Sequence, residues 1–465
     1  MMSPIPEAWR ARAPAMTQRA WEGLERVLQH VDAPRYNRTM GDRVGETELE
    51  ALARFRRALA DREREHAATP SPATIAFVEG LRGRVFLLDD LPAGFDVARD
   101  FESLPTTDRD TLAKHLEDLV PHDEPLDDAI VYSTSATTGH AVLVPSRPSA
   151  MVQNLAHLER LASLHGVELD PREGEPFALN ATVQRHTYVF ATTMSGWSGA
   201  VFAKVNLEPH DWAGGEGSRD RFLTDLAPAF LASEPVTLAT ALERELPLRP
   251  RLVVSSAVSL RGALTSRIQD AWGSAVVDLY STTETGPIAA SVPGVEGHVV
   301  LVPDLFVEAL GPSGERMADG ERGEITVTGG RNPLLPLVRY RTGDHGRLSA
   351  TTLPDGRRAR VILDLEGRSP ISFRATDGGR VGSVDIARRI RAIAPFVQHA
   401  LWQRADGSVE LRLRPLGGVP LPRADFDHAL RELFGKEAQI EIVIDPDLGR
   451  AGGKVVAWRS ELASS

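Results

Sequence analysis

The sequence predicts an α/β protein with a β-rich portion: a large N-terminal body built on parallel-rich sheets, then a small α+β C-terminal domain. Three observations predict it. Short apolar runs, AIVYS (129–133), RLVVSS (251–256) and VVDLYS (276–281), alternate with helical stretches at 149–165 and 259–271. Strands that alternate with helices call for a buried, largely parallel sheet. After residue 297 the runs FVEAL, EITVTG and ARVILDL are divided by the turns GPSGE, DGERG and LPDGRR, the pattern of a β-rich subdomain with hairpins. Beyond Gly367 a helix around Val384 to Ile393, a strand VELRLRP (409–415), a helix around Ala424 to Leu433 and a strand QIEIVID (439–445) make a separate small unit. The expected division is therefore residues 1–366 and 367–465. The first hundred residues read as helical: Leu49, Leu52, Phe55 and Leu59 recur at three-to-four-residue spacing among charges, which points to packing and not chemistry.

Composition narrows the function classes. A chain of 465 residues is long enough for about three domains, although single α/β units also reach this size. With 42% hydrophobic and 25% charged residues it is an ordinary globular sequence. Lys plus Arg is 53 and Asp plus Glu is 64, and 53 − 64 leaves −11, which disfavours nucleic acid as a partner. Any phosphate site must be built locally. No run approaches the roughly 18 apolar residues of a membrane helix, and MMSPIPEAWRARAP lacks a signal peptide's apolar stretch, so no membrane partner and a cytoplasmic location are expected. The absence of cysteine excludes disulfides, thiolate nucleophiles and Cys-bound zinc.

Four segments carry candidate chemistry, and each has a bland alternative. Ser133 to His140 (STSATTGH) places five hydroxyl side chains in eight positions directly after a strand, donors that can wrap a polyphosphate; a solvated Ser/Thr loop reads the same way. It is not a Walker loop, because the G-x-x-x-x-G-K-[ST] spacing is missing. Asp278 to Gly286 (DLYSTTETG) puts an aromatic ring, hydroxyls and a carboxylate at the carboxyl end of a strand, where open α/β sheets hold ligands. Tyr280 could stack on a base and Glu284 could hold Mg²⁺ through oxygen; a polar turn is the alternative. In PLVRYRTGD (336–344), Asp344 suits two ribose hydroxyls and Arg339 and Arg341 bring positive charge, although Gly-Asp is also simply a turn. GRAGGKV (449–455) sets Lys454 after a glycine pair, a surface lysine if taken alone.

Together, in this order and spacing, these segments resemble the adenylate-forming superfamily of acyl-CoA synthetases, aryl-acid ligases and adenylation domains, and most of all its phenylacetate-CoA ligase branch. STSATTG is similar to the family's phosphate loop SSGTTGK, YSTTETG to its Y-G-x-T-E segment, and PLVRYRTGD nearly repeats the family pattern. LEGRS resembles the hinge that opens the C-terminal lid, and AGGKV the terminal glycine-lysine segment, so the likeness spans about residues 125 to 457. The resemblance implies an AMP-forming ligase with a mobile lid. It assigns Ser135, Thr137, Thr138 and Gly139 to the ATP phosphates, Tyr280 to the adenine face with Ser281 and Thr282 beside it, and Thr283 to the α-phosphate. Glu284 would hold magnesium, Asp344 the ribose, and Arg368 the nucleotide from the hinge. Lys454 would reach both the acid's carboxylate and the α-phosphate. ATP and Mg²⁺ are the implied cofactors. A small-molecule acid, and coenzyme A, a carrier-protein thiol or an amine as acceptor, are the implied partners.

The sequence also departs from the family. Ala136 replaces a loop glycine and His140 the usual lysine, so the loop is stiffer and carries less fixed charge toward the outer phosphates. At the hinge Arg368 is followed by Ser369 and Pro370, and the proline fixes its own φ near −65°. For the acid pocket the candidates are His186, Tyr188, Trp197 and Ser198 from QRHTYVFATTMSGWSGA, with Ser256 from the small-residue turn VSSA; packing is the alternative for the aromatics. The group suggests a flat aryl acid. GWSGA nearly spells the serine-hydrolase elbow G-x-S-x-G but fails at Ala200. A diazotising relative that activates nitrite, and a nucleotide-binding relative without turnover, are the remaining alternatives.

Overall fold

The computed structural model describes residues 4–62, 68–133, 142–260, 262–301, 304–354, 356–367, 372–450 and 455–462. The N-terminal region is helical, as expected. The helix Gln18–Leu28 starts where the Thr17 hydroxyl accepts from the Ala20 N–H, and it buries Ala20, Trp21, Leu24 and Val27, one stripe at helical spacing. In the helix Glu46–Arg62, Leu52 and Leu59 are buried and Leu49 and Phe55 pack beside them, so that stripe is core.

The strands in chain order are β1 (Ile130–Ser133), β2 (Leu143–Ser146), β3 (Pro176–Thr182), β4 (Phe190–Met194), β5 (Ala200–Asn206), β6 (Phe230–Ser233) and β7 (Leu252–Ser255). They continue as β8 (Ala275–Thr282), β9 (Gly286–Ala290), β10 (His298–Val300), β11 (Phe306–Leu310), β12 (Arg322–Gly329), β13 (Leu337–Thr352) and β14 (Arg358–Glu366). The last six are β15 (Ser372–Arg374), β16 (Arg380–Gly382), β17 (Phe396–Gln403), β18 (Val409–Pro415), β19 (Ile440–Ile444) and β20 (Trp458–Ser460).

One sheet of 12 strands, in the order β11-β12-β13-β14-β10-β9-β8-β7-β6-β3-β5-β4, forms the body. From β5 to β8 neighbouring strands are parallel, and from β8 to β11 they are antiparallel. The β-rich portion is thus a continuation of the parallel sheet and not a subdomain of its own; β8 belongs to both halves. The parallel strands are largely apolar, as in Leu252–Ser255 where every residue is buried, because helices such as Pro148–Leu164 and Pro235–Glu243 accompany the sheet. AIVYS is a correction: among the described residues β1 pairs with β2 alone, in a two-stranded antiparallel ribbon outside the large sheet. Its alternating half-buried and exposed residues fit that position and not a sheet centre.

Residues 372–460 build a second sheet, β19-β18-β17-β20, with the helices Ser383–Arg391 and Arg423–Phe434. Phe373, Ile386, Phe396, Leu411, Phe426 and Phe434 form an apolar cluster there, separate from those of the body. The anticipated helices and strands lie within two residues of the observed ones, but β17 and β20 were not anticipated.

Candidate active site

The segment YSTTETG folds as a tight hairpin between β8 and β9, at the carboxyl edge of the parallel strands. The Thr282 hydroxyl accepts from the Thr285 N–H at 3.1 Å and lies 3.0 Å from the Thr285 hydroxyl, which donates to the Gly286 carbonyl at 2.8 Å. Gly286 closes the turn at φ +71°, and a Cβ there would lie 3.1 Å from Asn154 Oδ1 and 3.2 Å from Arg331 Nη1. A side chain there would be strained on both counts. At the tip Thr283 is exposed, whereas Glu284 turns inward and is only 7% exposed.

Facing this hairpin, β13 carries a bulge. Glu324 of β12 lies opposite His345 and Thr326 opposite Arg341, so Thr342, Gly343 and Asp344 oppose one residue, and Gly343 takes φ +82°. Glu324 holds the bulge by accepting from the Gly343 N–H at 3.0 Å and from Arg341 Nε at 2.7 Å. The Thr342 hydroxyl donates to the Ile325 carbonyl at 2.8 Å and accepts from the Asp344 N–H at 3.1 Å. Asp344 is thereby aimed at β8: the Tyr280 hydroxyl donates to its Oδ2 at 2.9 Å and lies 3.2 Å from the Thr342 hydroxyl. Burial, then the adjacent Asp344 charge, pushes the Tyr280 phenol well above its usual range, so it stays a donor. Gly367 brings its backbone close to Asp344, with an added Cβ 3.4 Å from Oδ1.

Two buried ion pairs, neither foreseen from the sequence, brace these loops. Arg331 is 4% exposed in its side chain; its Nε and Nη2 donate to Asp304, and its Nη1 donates to the Thr285 carbonyl at 3.1 Å and the Pro287 carbonyl at 2.6 Å. It grips the far limb of the hairpin. Burial raises the Asp304 carboxyl, but Arg331 more than offsets this and holds it far below the carboxylate range. Behind it, His157 of the helix Pro148–Leu164 is fully buried 3.7 Å from Asp304, and burial, then the Arg331 charge, lowers its pKa. The second pair corrects an expectation. Arg339 does not bring charge to a phosphate: it is 1% exposed and bound to the equally buried Glu308, with further donation to the Glu102 and Leu104 carbonyls. Arg341 is likewise taken up by Glu324.

Arg109 is a further residue that sequence reasoning missed. Thr107 is stitched to β13 through Arg339 and Arg341, which sets the helix Arg109–Lys114 against the crevice. There Arg109 Nη1 lies 3.6 Å from Glu284 Oε1. Tyr340, whose phenol is pushed far up by burial and then by the Glu284 charge, is the other neighbour of that carboxylate. Glu284 is an oxygen donor of the kind magnesium takes when phosphates complete its shell. Among the described residues no group of three or more His, Asp or Glu could hold a metal by itself.

The other candidates fall in three places. Ser256 follows β7, the strand beside β8, with its N–H on the Ser233 carbonyl at 3.1 Å, so it neighbours the hairpin strand. His186 and Tyr188 are exposed between β3 and β4, with Arg38 over the Tyr188 ring at 4.8 Å. Trp197 is a correction: it is 2% exposed, packed against Phe177 and Phe230 with its indole N–H on Glu159 at 2.9 Å, and it is core. Ser198 sits in a turn at φ 54° that follows the helical turn Ser195–Trp197. No strand delivers it as a hydrolase elbow would require. Ser135, Thr137, Thr138, Gly139, Arg368 and Lys454 lie outside the described residues.

Comparison with solved structures shows which fold this is. Over 90% of both chains the fold overlays 2-hydroxyisobutyryl-CoA ligase in the postadenylation state, with TM-scores of 0.56 in the complex with 2-HIB-AMP and 0.55 in that with R3-HIB-AMP, at 17% and 18% identity. In sequence, 115 residues are 31% identical to the phenylacetate-coenzyme A ligase of Aromatoleum evansii, 24% of each chain. A stretch of 298 residues is 24% identical to the phenylacetate-coenzyme A ligase of Escherichia coli strain K12, covering 60% of this chain and 64% of that one. These matches span less than two thirds of the relatives' length. No family model matches the chain. The chain thus shares the fold of 2-hydroxyisobutyryl-CoA ligase and is similar over part of its sequence to phenylacetate-coenzyme A ligases. Among the described residues no helix is long and apolar enough to cross a membrane.

Proposed function

We propose that the protein is an AMP-forming ligase that activates a carboxylic acid, a small aryl acid by preference, and passes the acyl group to coenzyme A or another thiol. The observation that carries this reading is the hydrogen bond from Tyr280 to Asp344, which joins two segments 64 residues apart at the sheet's carboxyl edge. In this reading adenine lies along Tyr280 and the ribose hydroxyls donate to Asp344, whose carboxylate can accept two bonds. Exposed Thr283 donates to the α-phosphate. Glu284 would hold magnesium together with phosphate oxygens, and the ion would supply positive charge to the polyphosphate.

The chemistry follows from charge. A carboxylate oxygen attacks the α-phosphorus, the bond to pyrophosphate breaks, and the two anionic reactants need compensation as they meet. The ammonium group of Lys454 supplies it, touching both the carboxylate and the α-phosphate. In the second step a thiolate attacks the acyl carbonyl, the carbon–sulfur bond forms and AMP leaves. Pyrophosphate release from ATP across aryl, fatty and inorganic acids, with coenzyme A or amines as acceptors, tests this. The reading expects release with an aryl acid, thioester formation with coenzyme A, and a loss of about a hundredfold or more in Lys454→Ala. Release only with nitrite, transfer only to amines, or nucleotide binding without release for every acid would replace it.

A further inference from the structure

Glu243 ends the helix Pro235–Glu243, which begins directly after the carboxyl end of β6. Its carboxylate gathers two guanidinium groups from the C-terminal unit, Arg450 Nη2 at 2.9 Å and Arg414 Nη2 at 3.4 Å. Arg414 stands on β18 and is 1% exposed; the same Nη2 donates to Thr240 Oγ1 at 2.9 Å, one turn back on that body helix. Among the described residues its Nε and Nη1 have no hydrogen-bond partner. A buried guanidinium whose carboxylate partner stands on a body helix depends on that helix for its counterion. Apolar contact surrounds the cluster, since Val397 and Leu416 join the body core that includes Val236 and Leu238.

The same interface reaches Gly449, which precedes Lys454 by five residues in the sequence. A Cβ on Gly449 would lie 3.2 Å from Val236, in the first turn of that helix, and 3.5 Å from Val455. This is the edge of the sheet that carries Ser256 and the Tyr280 hairpin. We propose that Glu243 is a positioning residue that fixes the C-terminal unit, through Arg414 and Arg450, in the orientation that presents Lys454 to the crevice. The inference rests on the reading of Lys454 given above. Glu243 acts on the first step only, because attack of a thiol on a finished adenylate does not require the lysine at phosphorus.

The chain has no cysteine, so Asp270→Cys on the helix Gly262–Trp272 and Ala424→Cys on the helix Arg423–Phe434 give two unique spin-label sites. Electron–electron double resonance should give one narrow distance distribution in the labelled parent, a broadened or second population in Glu243→Gln, and recovery in Glu243→Asp. An unchanged distribution in Glu243→Gln overturns the inference. In parallel, Glu243→Gln should lose pyrophosphate exchange by about tenfold or more while thioester formation from supplied acyl-adenylate is retained; equal loss in both steps also overturns it. If the parent shows no exchange with any acid, the functional reading fails while the label distances still decide on Glu243.

Discussion

The hairpin at Tyr280–Gly286 and the segment 184–199 both display aromatic rings and hydroxyls at the end of a strand, yet they are built in opposite ways. The hairpin has polar anchors on each side: Asp344 takes its tyrosine, Arg331 grips its outer limb, and Arg109 stands beside its glutamate. In 184–199 the one large indole is swallowed by the core, and His186 and Tyr188 stand in the open. The difference teaches that residue types alone do not tell a candidate ligand edge from packing; the partners that the fold gives each side chain do.

Paired substitutions break or sharpen that contrast. Asp304→Asn leaves Arg331 buried without a counterion, and Trp197→Ala opens a cavity; each should cost about 3–5 kcal/mol, measured by denaturant unfolding. Only Asp304→Asn should also weaken ATP binding, and an equal loss in Trp197→Ala would erase the distinction. Gly286→Ala comes next, about 1–3 kcal/mol from the left-handed backbone and the contacts with Asn154 and Arg331. The smallest effect is a pH slope at His157. Its folded pKa lies below the ordinary 6.5 because of burial and then Arg331, so the unfolded chain binds the proton first. Stability is therefore complete above pH 6.5 and falls as the pH drops below it, by at most about 1.4 kcal/mol per unit. In His157→Gln that slope should become shallower between about pH 6.5 and 5, the remainder belonging to His165 and His345, whose pKa values burial also lowers; an unchanged slope places the titration elsewhere.

Much of the fold was legible because apolar runs and turn residues are local signals. RLVVSS and VVDLYS lie in adjacent parallel strands, and VELRLRP is a strand over the anticipated residues. What escaped depended on distance along the chain. Nothing in AIVYS itself says that its partner is a ribbon strand, and nothing in RYRTGD says that Arg339 belongs to Glu308 and Arg341 to Glu324. Tyr280 and Asp344 were singled out, but not the hydrogen bond between them, nor the bulge that aims one at the other. Arg109, Asp304 and Arg331 went unnoticed because a lone arginine or aspartate has no pattern until the fold supplies its partner.

Titration calorimetry of ATP binding to the parent chain and to Asp344→Ala tests the central claim most directly. Loss of the ribose acceptor, with the Tyr280 hydroxyl left to Thr342, should weaken ATP about 10- to 100-fold with little change in melting temperature. An unaltered dissociation constant would put the nucleotide somewhere other than the Tyr280–Asp344 crevice.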